Sequence, residues 1–256
     1  MFRAARARHD REVTDGFRQR GLEVSRLEGF SDAVFGFALT LLVVSLDVPR
    51  KFDDLVNTMR GFPAFAVCFL LLALVWNSHY KFCRRYGLDD AFTRLLTCIL
   101  LFVVLFYVYP LKFLFNLSFS GLTGQLVPGA VEVTGDQVTT LLIIYGFGFA
   151  AVYGALLLLY LHAYRLRDAL ELNELERLDT RFAIWRISIV VAVGLLAALV
   201  ARLHWLGPWG GMVYFILLPI MRVSRFIQRR KRARFSPRHP NLLVARSRAH
   251  PQYHRA

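Results

Sequence analysis

Six long apolar runs, at roughly 30–48, 62–82, 92–115, 138–163, 182–203 and 206–221, alternate along the chain with short charged segments. A helix needs ~20 residues, at 1.5 Å rise each, to cross ~30 Å of hydrocarbon. The first five runs meet that length. The sixth, LGPWGGMVYFILLPIM, is shorter and is read as a span bounded by two prolines. Pro208 suits a first helical turn, and Pro219 kinks or ends a helix. Backbone polar groups in lipid must be satisfied internally, so runs of this length predict helices. A β-barrel would show ~10-residue alternating segments, which are absent. The segment 116–137, with Gly121, Gly124, Pro128, Gly129 and Gly135, predicts a loop. The segment 165–181 has mixed charge and leucines at helical spacing, and predicts a helical extension of the fourth span. The expected fold is therefore all-α, a polytopic membrane protein of six transmembrane helices.

Composition agrees with that reading. Of the 256 residues, 56% are hydrophobic and 20% charged, whereas a soluble domain is nearer 45–50% apolar. A soluble globule and extensive disorder are both excluded. So is a disulfide scaffold: Cys68, Cys83 and Cys98 lie in or beside apolar runs and read as free thiols. The net charge of +14 would suggest nucleic acid in a soluble protein. Here the distribution matters more: 27 of the 32 basic residues fall in the N-terminal, second, fourth and C-terminal connections, all on one side of six spans. The positive-inside rule places that side, with both termini, in the cytoplasm, so the chain is expected as a multi-pass protein of the cell membrane. The first apolar run is long and lacks a small-residue cleavage site, so no signal peptide is expected.

The expected organisation is a cytoplasmic N-terminal segment 1–25, a six-span transmembrane unit 26–223 and a basic, disordered cytoplasmic tail 224–256. Each Lys or Arg near an anionic leaflet contributes ~1 kcal/mol of attraction, so the tail's expected partner is the headgroup layer. Phe226, Phe235 and Tyr253 are too few for nucleic-acid stacking. Asp89 and Asp90 follow Gly87 and read as a turn and helix cap.

The first span carries the candidate chemistry. Its neighbourhood, Arg26 to Pro49, reads RLEGFSDAVFGFALTLLVVSLDVP. A carboxylate at bilayer depth costs roughly 2.5–3.5 kcal/mol on insertion scales and normally finds a partner or water. Asp32 either caps the helix start with Ser31 or pairs with the second span, which ends in Trp76, Asn77, Ser78 and His79. Two antiparallel helices would bring Arg26, Asp32 and His79 to one level, as an ionic cluster or as unrelated interfacial residues. At 100° per residue, Ala33, Phe37, Thr40 and Val44 form one stripe of the first helix, flanked by Gly36, Leu39 and Val43. Against another helix such a stripe is core. Around a symmetry axis it would line a pore with apolar rings and one hydroxyl ring.

Arg26, Phe30, Ser31 and Asp32 spell R-x-x-x-F-S-D, followed by Thr40-Leu41-Leu42 and Pro49. This segment resembles the prokaryotic branch of the transmembrane-protein-175 family of potassium channels, and Trp76 and His79 resemble that family's second span. The resemblance implies a potassium-selective channel, a homotetramer whose first helices line a central pore. It implies Phe37, Thr40 and Val44 as the pore and selectivity positions. Arg26, Phe30, Ser31, Asp32, Trp76 and His79 would be the network supporting the pore helix. The constriction position is Ile or Leu in the family and is Phe37 here, a bulkier planar side chain. The resemblance implies no enzyme activity, no cofactor beyond the permeant potassium ion and no metal site, although His79 and Cys83, four apart, could form half of one. Two alternatives stay open on the residues alone: a proton-coupled transporter or proton channel using Asp32 and His79, and a non-conducting membrane scaffold.

Overall fold

The computed structural model describes residues 13–14, 17–44, 51–123, 134–203 and 213–235. Residues 1–12, Pro49, residues 124–133 of the expected loop, the first part of the sixth apolar run and the residues beyond Phe235 lie outside the described residues. The chain begins with a two-residue antiparallel pair, β1 (Val13–Thr14) and β2 (Phe17–Arg18), in which Thr14 faces Phe17. Among the described residues seven helices follow: α1 (Arg26–Val44), α2 (Phe52–Arg60), α3 (Phe62–Tyr86), α4 (Ala91–Thr123), α5 (Gly135–Arg165), α6 (Glu174–Arg202) and α7 (Leu217–Phe235). Five of them, α1, α3, α4, α5 and α6, are long and apolar enough to cross a membrane. The protein is thus a multi-pass helical membrane protein.

Sequence signals set the helix ends. Ser25 caps α1, its Oγ accepting the Glu28 N–H at 3.1 Å. α3 starts with Pro63 in its first turn and ends at Gly87, whose left-handed φ of 58° lets its N–H reach the Cys83 carbonyl. Asp90 accepts the Phe92 and Thr93 N–H groups and starts α4. Capping boxes open α5 (Thr134 with Gln137) and α6 (Asn173 with Glu176).

Three expectations change. α4 continues through Pro110 to Thr123, so the expected loop is shorter than 116–137. α5 does not extend through 165–181. It stops at Arg165, the chain turns, Glu171 takes φ of 49°, and the Asn173 capping box launches α6 in a new direction. The nine-residue α2 lies in a connection that was read without an element. Its Phe52, Leu55, Val56 and Met59 follow helical spacing, and all four are exposed. Of the sixth run, residues 213–216 form a 3₁₀ turn, and α7 then runs back along α6 and on to Phe235.

One apolar core joins α1, α3, α4 and α5, through Phe35 and Leu42, Leu72 and Phe82, Leu100 and Val104, and Leu156 and Leu159. α1 packs on α3 and α4 at one margin of the bundle, and α7 packs on α6 at the other. α5 and α6 cross closely at Gly146 and Gly194, where a Cβ on Gly146 would stand 2.7 Å from the Gly194 carbonyl oxygen. Gly148 leaves room for the Tyr107 ring, whereas Gly154 faces open space.

Candidate functional site

α1 has two unlike faces. Glu28, Ser31, Phe35, Ala38 and Leu42 are buried against α3 and α4. The opposite stripe, Arg26, Phe30, Ala33, Phe37, Thr40 and Val44, is exposed throughout, with Phe37 at 56% and Val44 at 75%. Gly36 and Val43 widen it. No described element of the chain covers this stripe. The Thr40 hydroxyl donates to the Phe37 carbonyl at 2.7 Å, which leaves its oxygen lone pairs free to accept.

The residues expected around that helix separate into two groups. The indole N–H of Trp76 donates to Asp32 Oδ1 at 2.8 Å, tying α1 to α3 across the bundle surface, and the Trp76 ring stacks on Tyr80. His79 is 1% exposed and lies between three helices. Its Nε2 is 3.5 Å from Thr97 Oγ1 on α4, and its ring faces Phe35 of α1 at 6.3 Å between centroids. Cys83 Sγ lies 3.8 Å from the His79 ring nitrogens. Among the described residues, Asp32 and His79 share no hydrogen bond. Arg26 makes no hydrogen bond or ion pair there either, and opens the exposed stripe instead. Phe30 is exposed, and Ser31 bonds back to the Leu27 carbonyl at 2.7 Å. Among the described residues no group of three His, Cys, Asp or Glu is placed to hold a metal ion.

The guanidinium that holds the base of α1 is Arg84. Its Nε lies 3.4 Å from Glu28 Oε1, and its Nη1 donates to the Gly21 carbonyl at 2.8 Å. Glu28, Arg84 and Ser25 were not read as site residues, although Ser25-x-x-Glu28 is a capping-box pattern visible in the sequence.

Around this base an N-terminal strap closes one end of the bundle. The Arg20 and Gly21 N–H groups donate to the Arg84 carbonyl at 3.0 and 3.1 Å. Arg20 Nη2 and the Arg18 N–H each reach a carboxylate oxygen of Glu176, at 2.9 Å in both cases, and the Glu176 side chain is 0% exposed. Arg20 Nε also donates to the Leu170 carbonyl, and the Arg18 guanidinium donates to the Glu171 carbonyl. Phe17 is fully buried, edge-on to Tyr86 and covered by the Arg85 guanidinium. The contact is tight: a Cβ on Gly21 would stand 2.5 Å from the Cys83 carbonyl oxygen. A cavity of about 310 Å³ remains between the strap, Glu28 and Asp89.

A second tie at the same end joins α4 to α5. Asp90 Oδ2 lies 3.0 Å from His162 Nε2, and Oδ1 accepts the Thr93 hydroxyl. Burial by itself would raise the Asp90 pKa. The Thr93 hydrogen bonds and the His162 imidazole outweigh it and hold the carboxyl below its ordinary value.

Comparison with known proteins gives one family match. Residues 26–107, from α1 into α4, match the family described as the endosomal/lysosomal potassium channel TMEM175. A potassium channel of Marivirga tractuosa is 38% identical over 236 residues, which cover 87% of this chain and 94% of that one. The crystal structure of a variant of the potassium channel MtTMEM175, bound to a nanobody fusion protein, superposes with a TM-score of 0.72 at 36% identity. That match covers 85% of this chain and 99% of that one. A lysosomal potassium-selective TMEM175 homologue from Chamaesiphon minutus shares the fold, with a TM-score of 0.53 at 20% identity over 78% and 96% of the two chains.

Proposed function

The chain belongs to the TMEM175 family, and from that premise we propose that it forms a potassium-selective channel. Four copies assemble around one axis with α1 of each lining a central pore. Conduction is passive, and the protein is a channel rather than an enzyme. The observation that carries this reading is the uncovered stripe of α1. In an isolated subunit, Phe37 and Val44 expose more than half of their surface while the opposite face is packed. A fourfold axis along the stripe would cover it.

The chemistry follows from the side chains. Phe37 and Val44 form apolar rings that offer no ligand, so an ion passes them only by fitting the gap and shedding water. Potassium holds its hydration shell less tightly than sodium and is the cheaper ion to strip. Thr40 sits between the two rings. Because its proton is engaged by the Phe37 carbonyl, four hydroxyl oxygens present lone pairs where an ion has lost water. Asp32 and Trp76 fix the rotation of α1, and His79 and Phe35 fill the joint behind it. Ser31 and Phe30 set the start of the lining, and Arg26 stands at the pore's end.

The remaining arrangement follows the charge pattern. The channel unit 26–223 makes six crossings in the cell membrane, with the strap end and both termini cytoplasmic. The basic residues of the C-terminal segment draw it toward anionic headgroups.

The test is potassium and sodium flux into liposomes holding the purified protein, with Phe37→Ala and Thr40→Ala alongside. Opening the apolar ring is expected to raise flux several-fold and to weaken potassium preference. Thr40→Ala is expected to lower the preference with little change in sodium flux. Tetrameric protein that conducts identically with both substitutions would move the pore off α1.

A further inference from the structure

α7 lies antiparallel on α6, and the Gln228 side-chain amide donates to Asp179 Oδ1 at 2.9 Å. Seven residues further along each helix, that contact brings Arg186 level with Met221. Helical side chains lean toward their own N-terminus. Arg186 therefore leans from inside the apolar run toward the polar end. Arg225 leans the opposite way, and its Nε donates to the Met221 carbonyl at 3.3 Å. Both residues lie along the seam where α6 and α7 meet, Arg186 half-buried and Arg225 exposed. Lys231 reaches back in the same sense, its Nζ 5.4 Å above the Phe182 ring.

This seam carries more positive than negative charge. The groups nearest in field to Arg186 are the Tyr160 phenol and then Arg85, Asp179 and Arg225, two cations and one acid, and Asp179 already accepts from Gln228. Arg186 is half-buried, with no hydrogen bond or ion pair among the described residues. Between the two levels lies Ser224, fully buried, whose Oγ has no hydrogen-bond partner. Two guanidiniums on one seam form a donor set that lacks an anionic acceptor, and a partly buried charge left unpaired is costly. A phosphate fits it, taking guanidinium donors in pairs.

The position selects the source of the phosphate. Arg186 lies a turn inside the apolar run of a membrane-crossing helix. Trp185, Val223, Phe226 and Ile227 beside it expose apolar surface. A soluble anion would meet hydrocarbon there, whereas a lipid phosphodiester occupies that boundary and its acyl chains cover the apolar side chains. We propose that the α6–α7 seam is a specific binding site for the phosphate of an anionic phospholipid, held by Arg186 and Arg225 with Ser224 beside them. This is a defined site rather than the diffuse attraction of the tail, and it does not depend on where the pore lies.

The test uses the full-length protein in neutral detergent, titrated with phosphatidylglycerol, phosphatidylcholine or inorganic phosphate. Bound lipids are counted by native mass spectrometry and the unfolding midpoint is followed in parallel. Phosphatidylglycerol is expected to bind and raise the midpoint, and the other two are not. Arg186→Gln and Arg225→Gln are each expected to weaken binding roughly tenfold, the loss of about one charge-assisted hydrogen bond. Arg230→Gln, an exposed cation stacked on Phe226, is the control and is expected to bind normally. Should Arg186→Gln not fold, the exposed Arg225→Gln carries the comparison. Unchanged binding in Arg225→Gln overturns the site. Equal weakening in Arg230→Gln reduces it to diffuse attraction, and an equal response to inorganic phosphate removes the lipid assignment.

Discussion

The two ends of α1 are held in opposite ways. At its base, Glu28 meets Arg84, Arg84 meets the strap, and the strap meets Glu176 on α6, so three helices and the N-terminal segment are cross-linked by ionic and backbone contacts. Toward Val44 the same helix buries Ala38 and Leu42 on one side, and its other side is exposed among the described residues. The polar end is completed within one chain. Among the described residues, nothing covers the far stripe. Fixed geometry is therefore concentrated at the base, away from the rings proposed to meet the ion.

Substitutions can break that contrast in graded steps. Glu176→Ala removes the acceptor for Arg18, Arg20 and the Asn173 N–H together. Removing one partner of a buried ion pair costs about 3–5 kcal/mol. The expected result is the largest loss of thermal stability in detergent, with the strap open to protease. Arg18 and Arg20 substituted singly are expected to lose less, because each leaves the other on the carboxylate.

Trp76→Phe removes the hydrogen bond to Asp32 and keeps the ring. A hydrogen bond to a charged group is worth about 1.5–3 kcal/mol, and solvent exposure at this pair favours the low end. Under the proposed pore, potassium preference is expected to fall more than stability does, since the lost contact sets the rotation of α1. Equal changes in both would place Trp76 with the base rather than with the stripe.

The smallest effect concerns Asp90. Its folded carboxyl titrates below the unfolded value of ~3.9. Its contribution is therefore complete above about pH 4 and is lost as the pH falls through the folded pKa. Unfolding midpoints of the native chain and Asp90→Asn are expected to differ at pH 5 and to converge below about 4. A gap that persists at pH 3 would assign the effect to the helix cap alone.

What the sequence made legible was what depends on neighbouring residues. Five spans followed from run length, and the α1 stripe followed from a period of 3.6. The Ser25 cap and the capping box at Asn173 were equally local and went unread, the second because the charged 165–181 segment suggested one continuing helix. The α2 face went unread because nine residues are short beside a span. Contacts between distant segments were not legible. Arg20 meets Glu176 across 156 positions, and nothing in either neighbourhood names the other. Arg26 looked like the natural partner of Asp32, yet six residues along a helix put them on different faces. Arg84, on another helix, holds the base. Which of Trp76 and His79 reaches Asp32 depends on the rotation of α3, a tertiary quantity.

The clamp at Glu28 turns α1 into a lever. Nineteen residues at 1.5 Å each make an arm of roughly 28 Å. With its fulcrum at the strap, a tilt of about 5° sweeps the Phe37 level by roughly 1.5 Å and the Val44 level by roughly 2.5 Å. The first displacement is comparable to the radius of a water molecule. At four such arms around the proposed axis, a tilt that small would change the width of the Phe37 ring by more than the radius of a water molecule.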